Sequence, residues 1–260
     1  MTTTAIIFDL DATLIEDHEA TQRAMTKVVA YACTQYRDLD PQKLQETAAA
    51  TARELWDTGP AAAYSEAIGI SAAEGMWGDF SGDDPGLQTL HQWVPTYRCE
   101  IWRRALAEQN KDDVQLAERL AALFCETRST DYHIYAGAES MLERLRQSYR
   151  LALLTNGAPV LQWGKIRARD LEHYFDVIVV SGDLGIGKPD PEIFSHVLKQ
   201  LAVSPEQAMM VGDSLKRDMV GAERSGIRGV WINSLHRQKD NVRIFAELQR
   251  VTELPSVLAN

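Results

Sequence analysis

Two aspartates separated by one residue, Asp9 and Asp11, sit in "IIFDLDATLIED" (residues 6–17), with Thr13 two positions further on and three apolar residues just before. Polar residues of reactive kinds recur after other apolar runs: "LLTNG" delivers Thr155, Asn156 and Gly157, "GKPDP" delivers Lys188, and "VGDSLKRD" delivers Asp213 and Asp218. Four carboxylates gathered in one partly dry crevice would repel, and that cost is relieved by raised pKa values or by a cation. A divalent cation is the economical answer. Mg2+ takes oxygen ligands and keeps several waters, so one or two of these carboxylates suffice. A lysine and a Thr/Asn pair opposite such a metal make a cradle for phosphate oxygens. The residue types and their spacing point to phosphoryl transfer.

These residues converge only if the elements before them lie side by side. Residues 5–8, 150–155, 176–181, 208–213 and 228–233 are short, nearly continuous apolar runs, as expected of parallel strands covered on both faces. Helical spacing alternates with them. Met141, Leu142 and Leu145 precede the second run, and Ile193, Phe194, Val197, Leu198 and Leu201 precede the fourth. Asp190 stands at the cap of the latter helix and Pro191 in its first turn, where a missing N–H costs nothing. Alternation of this kind predicts an α/β fold with a doubly wound, Rossmann-like parallel sheet, which binds ligands at the carboxyl ends of its strands.

Residues 16–130 break the alternation. Ala24, Val28 and Tyr31, then Leu90, Val94, Tyr97 and Ile101, then Leu116, Leu120 and Leu123 fall at helical spacing. The expectation is an α-helical domain over 16–130, inserted into a core built from 1–15 and 131–260. Pro95 is expected to kink or interrupt its second helix, and residues 77–86 read as its clearest loop. Trp56, Trp77, Trp93 and Trp102 fall in this segment and are read as packing residues. His18, His133 and His173 are isolated and are assigned no chemistry.

The 260 residues, 45% hydrophobic and 25% charged, are enough for a core domain with an insertion. A formal charge of −10 argues against a nucleic acid polymer as partner. Cys33, Cys99 and Cys125 are odd in number and widely spaced, so they are read as reduced core thiols. No cationic stretch precedes the first apolar run and no 18 apolar residues run together, which predicts no membrane span and a cytoplasmic protein. The sequence says nothing of oligomeric state.

Taken in order, "FDLDATL", "LLTNG", Lys188 in "GKPDP" and "VGDSLKRD" resemble the four motifs of the haloacid dehalogenase (HAD) superfamily of phosphohydrolases. The helical insertion directly after the first motif resembles a C1-type cap. The second half is similar to the N-acylneuraminate-9-phosphatase and pyrimidine 5′-nucleotidase branches. The resemblance implies a Mg2+-dependent phosphatase that takes small phosphate esters, sugar phosphates or nucleoside monophosphates first. It implies Asp9 as nucleophile, Asp11 as the acid and base that moves the proton, Thr155 and the Asn156 backbone as holders of the phosphoryl group, and Lys188 as its counter-charge. Mg2+ would be held by Asp9, Asp213 and the backbone carbonyl of Asp11. Thr13 would tie the turn together, and Asp218 would orient Lys188 or a metal-bound water. As a proton donor, Asp11 is expected to be protonated near neutral pH.

One departure is Ala12, where the family often has glycine or asparagine. A phosphomutase acting on a sugar phosphate and a non-catalytic module are the alternatives, and a dehalogenase-type hydrolase is disfavoured because the dehalogenating relatives lack an aspartate at the position of Asp11.

Overall fold

The computed structural model describes residues 2–239 and 241–258. The chain divides into two compact units, one formed by Met1–Asp17 with Tyr132–Asn260 and the other by His18–Asp131. The first contains the sheet. Its strands are β1 (Ala5–Phe8), β2 (Arg150–Thr155), β3 (Val177–Val180), β4 (Ala208–Gly212), β5 (Arg228–Ile232) and β6 (Ala246–Leu248). They run parallel in the order β3-β2-β1-β4-β5-β6. The first five occupy the apolar runs. β6 was not foreseen, because "AEL" is short and only partly buried and lacks the apolar run that marks the others.

β1 explains why both faces of the sheet must be covered. Its residues alternate, with Ile6 and Phe8 entering one buried cluster and Ala5 and Ile7 the other, and all four have no exposed surface. The helix Pro191–Leu201 covers the second face with Ile193, Phe194, Val197, Leu198 and Leu201, all buried. It starts as read: Asp190 accepts from the Glu192 N–H and Pro191 occupies the first turn. β1 lies between β2 and β4, where the winding reverses, so the ends of these three strands frame the crevice in which open α/β sheets bind ligands.

Past β1 the chain folds back on itself. The Asp9 N–H donates to the Val211 carbonyl at 2.9 Å, extending the pairing with β4, and the Leu14 and Ile15 N–H groups both donate to the Leu10 carbonyl at 2.8 and 3.0 Å. Leu10, Leu14 and Ile15 are fully buried and anchor this turn. Closing it requires φ +56° at Ala12, whose N–H donates to the Ile15 carbonyl at 2.8 Å. The preference for glycine at this position therefore has a local cause, since a Cβ is strained in the left-handed region. The strand-like segment then pairs with the returning chain, through Glu16 N–H to the His133 carbonyl at 2.8 Å and Tyr135 N–H to the Leu14 carbonyl at 3.0 Å.

The second unit is helical, with long helices Pro41–Asp57, Pro85–Ala107 and Val114–Arg128 and most of Asp17–Gln35. The apolar residues read at helical spacing are buried, apart from Tyr31, which is half-buried. Of the two effects expected of Pro95, interruption does not occur: Pro85–Ala107 continues through it. The loop expected over 77–86 ends at Asp84, which caps this helix through the Gly86 and Leu87 N–H groups, and Pro85 begins it. Trp56 packs against Tyr97, Trp93 and Phe80 at ring separations of 5.3, 5.7 and 6.2 Å. The three cysteines are free, but all are partly exposed, which corrects their reading as core thiols. No helix among the described residues is long and apolar enough to cross a membrane.

If Ala12 holds strain, Ala12→Gly relieves it. We expect the variant to gain about 1 kcal/mol, the left-handed penalty less part of the entropy that glycine adds to the unfolded chain. Urea unfolding of the full chain measures this, and a variant no more stable than the parent overturns it.

Candidate active site

The strand ends bring most of the sequence-selected residues together through one lysine. Lys188 Nζ lies 2.5 Å from Asp9 Oδ1 and 2.6 Å from Asp218 Oδ1, and all three side chains are nearly or wholly buried. Thr13 is buried beside them, its hydroxyl 3.4 Å from Asp9 Oδ2. The loop that carries Lys188 is held by Asn156, whose side chain accepts from the Lys188 N–H at 2.8 Å and donates to the Lys188 carbonyl at 2.9 Å. Arg217 Nη1 donates to that same carbonyl at 3.2 Å. Thus the motif after β2 positions the residue that follows β3.

Asp218 is brought in by the helical turn Leu215–Met219. Its Oδ2 accepts from the Ser214 N–H at 3.0 Å, and its own N–H donates to the Ser214 carbonyl at 2.9 Å. Gly212, the last residue of β4, leaves room for it: a Cβ there would lie 2.3 Å from Asp218 Oδ2. Asp213 follows, its carbonyl receiving the Trp231 indole N–H at 2.8 Å and its carboxylate 4.0 Å from the exposed Arg237 guanidinium.

Electrostatically the cluster is short of positive charge. Burial pushes the Asp9 carboxyl well above the usual carboxylate range; Lys188 opposes this, while Asp218, Asp213 and Asp11 add to it. Burial also acts against the charge of Lys188, but Asp218 and Asp9 together hold its ammonium above the ordinary lysine range. We therefore describe Lys188 as a firmly charged ammonium shared by carboxylates that outnumber it. Asp213 is pushed up to about 7, by burial first and by Asp218 second.

Asp11 does not join this cluster through its side chain. Both of its oxygens accept from Lys165 Nζ, at 2.8 and 2.9 Å, and Oδ2 also accepts from Gln162 Nε2 at 2.8 Å. An ammonium touching both oxygens favours the ionised carboxylate. Neither of these partners of Asp11 was among the residues singled out in the sequence. Lys165 and Gln162 lie on the helix Pro159–Ala168 and are fully buried. Gln162 Nε2 also reaches Thr155 Oγ1 at 2.5 Å. Their signal in the sequence is faint: "PVLQWGKIRA" lacks the apolar stripe that its burial would ordinarily require. His18, His133 and His173 are exposed.

The model of the haloacid dehalogenase-like hydrolase family matches residues 3–226. The chain belongs to this family. It is 36% identical over 236 residues to a phosphoserine phosphatase of Thermus thermophilus, covering 90% of each chain. It is 30% identical to the rat N-acylneuraminate-9-phosphatase over 88% of this chain and 82% of that one. Its relatives are named phosphatases, and the chain is an enzyme of that kind. Among solved structures, the HAD-hydrolase YfnB of Bacillus subtilis, described as bound to magnesium, shares the fold with a TM-score of 0.67 at 21% identity, each chain covered in full.

Among the described residues, carboxylate oxygens of Asp9, Asp213 and Asp218 all lie within 4.8 Å of one another. The donor set of this HAD-like hydrolase is oxygen only and over-negative, which fits a small hard cation such as Mg2+. A measurable linkage follows. With chelator present, the raised Asp9 and Asp213 keep protons in the folded state that the unfolded chain has already released. Stability without metal therefore falls as pH rises from about 4 through about 7. Because protons compete for the same oxygens, saturating Mg2+ should raise the melting temperature more at about pH 8 than at about pH 5.5. Asp213→Asn should flatten both trends. Equal Mg2+ shifts at the two pH values in thermal unfolding would contradict the assignment.

A second consequence concerns Gly212. Gly212→Ala should displace Asp218 and with it Lys188, lowering phosphatase turnover about tenfold or more while the strand persists. Steady-state turnover alongside circular dichroism tests this.

Proposed function

We propose that the protein hydrolyses phosphate monoesters of small metabolites through an aspartyl-phosphate, with Mg2+ at the strand ends. One observation carries the reading. Asp9 and Asp11, one residue apart, are each held by a different buried lysine, Lys188 at 2.5 Å and Lys165 at 2.8 Å. A nucleophile and a proton-transfer group serve the same reacting phosphorus from different positions, and separate lysines hold these two carboxylates apart, which supports giving them different tasks.

In the first step an Asp9 oxygen attacks phosphorus, the bond from phosphorus to the ester oxygen breaks, and Asp11 gives that oxygen a proton. In the second, Asp11 takes a proton from water, the water oxygen attacks phosphorus, and the bond to Asp9 breaks to leave inorganic phosphate. Lys188, Thr155 and the Asn156 backbone would hold the phosphoryl oxygens. Asp218 would keep Lys188 aimed and Thr13 would brace Asp9. Asp9, Asp213 and the Asp11 carbonyl would hold Mg2+, which when bound neutralises charge on the phosphoryl oxygens. For donation Asp11 has to be protonated, and the proton it takes from water in the second step supplies this for the next turnover.

The helical unit would act as the cap that selects the organic part of the substrate. Sugar phosphates and nucleoside monophosphates lead the candidates, and phosphoserine joins them because a relative is named for it. Asp11 also separates this reading from halide release, which needs no acid.

Phosphate release from a panel of these esters, with Mg2+ and with chelator, tests the proposal. Turnover should require Mg2+. Asp9→Asn should lose about a thousandfold or more, and Asp11→Asn about a hundredfold or more. Asp11→Asn should still bind Mg2+, since the metal would meet only its carbonyl. Phosphate released without an acceptor alcohol argues against a mutase. Chelator-resistant turnover, or full activity in Asp9→Asn, would overturn the proposal.

A further inference from the structure

The helix Pro159–Ala168 begins just after the Thr155–Asn156–Gly157 turn and buries an unusual pair. Gln162 and Lys165, three apart and so on one face, have no exposed surface. Burying an ammonium is tolerated only where the charge is paired and hydrogen-bonded. Its partner is Asp11, at 2.8 and 2.9 Å, with Asp17 Oδ1 at 3.7 Å. The side chain of Asp11 remains 23% exposed.

Gln162 reaches further. Its Nε2 donates both to Asp11 Oδ2 at 2.8 Å and to Thr155 Oγ1 at 2.5 Å. The carboxylate fixes the amide's orientation, since a carbonyl oxygen turned toward it would be repelled. The Gln162 Oε1 is left buried without a hydrogen-bond donor, a cost that a purely structural position would shed by becoming apolar. The neighbouring turn is cut to admit this amide, because a Cβ at Gly157 would lie 3.0 Å from Gln162 Cγ and Cδ.

We propose that Gln162 and Lys165 are positioning residues for proton transfer: they set the direction of the Asp11 carboxylate and tie it to the hydroxyl of Thr155. The proton-handling oxygen and the phosphate-holding hydroxyl then keep one spacing through both half-reactions. This rests on the reading of Asp11 as the proton-transfer group.

The test uses Lys165→Met and Gln162→Leu, both near in size to the originals, on an alkyl phosphate and on p-nitrophenyl phosphate. An alkoxide needs a proton to leave and a nitrophenolate does not, whereas the second step needs Asp11 with either ester. On the alkyl ester each variant should lose about tenfold or more in kcat with KM little changed. On the aryl ester each should release a burst approaching one nitrophenolate per folded enzyme and then turn over slowly. Lys165→Met placed in Asp11→Asn should cost no more than about a further twofold, because residues acting through one group are not additive. A loss of folded protein alone lowers both esters in the same proportion and produces no burst. If Lys165→Met fails to fold, the uncharged change Gln162→Leu decides the matter by the same readouts. The inference is overturned if Asp11→Asn collapses while the folded variants keep parental kcat, or if the losses multiply in the double variant. Parental activity in Asp11→Asn itself would instead overturn the underlying reading.

Discussion

One buried ammonium among carboxylates is the constraint on which the rest of the site depends. Lys188 lies against both Asp9 and Asp218, all three buried, with the partly exposed Asp213 close by. Such a cluster survives only if each charge is aimed, because a buried charge deprived of its partner is strongly destabilising. Much of the local architecture serves this aim. β4 ends in a glycine that makes room for Asp218, Asn156 clasps the Lys188 backbone from both sides, and the Val211 carbonyl pins the Asp9 N–H. The remaining negative charge is what suits the site to a hard cation and, with it, to a phosphoryl group.

A second ion pair, Lys165 with Asp11, is kept apart from the first. Only Leu10 stands between the two aspartates in the chain. In an extended strand, residues two apart project to the same side, which would crowd Asp9 and Asp11 together. Here they meet different lysines, and past Asp11 the backbone turns at Ala12 with φ +56°, where Leu10, Leu14 and Ile15 bury themselves to hold the turn. Two similar carboxylates come under different cations.

The helical unit is built on another principle. It has its own core, in which Trp56 is wedged among Tyr97, Trp93 and Phe80 while Gly75 packs against its ring. Its long helices carry apolar stripes that were readable one by one. Aromatic packing of this kind makes a self-sufficient body, consistent with the division of the chain into two compact units.

The five main strands were legible as apolar runs, and Asp9, Asp11, Thr155, Asn156, Lys188, Asp213 and Asp218 could be picked out as the polar residues after four of them, because such runs are a local property of the chain. β6 escaped since a three-residue edge strand, only partly buried, has no such run. Pro95 left kink and interruption equally open, because a proline's effect depends on what its helix packs against. The strain at Ala12 could be suspected only from the residue's type. What the sequence determined alone was therefore the order of the elements and the chemical kinds of side chain at their ends. Which lysine meets which aspartate was decided by the tertiary structure: Lys165 lies 154 residues from Asp11, and Lys188 lies 179 from Asp9. Pairings over such separations are fixed by sheet order and helix packing, to which no local pattern of residues refers.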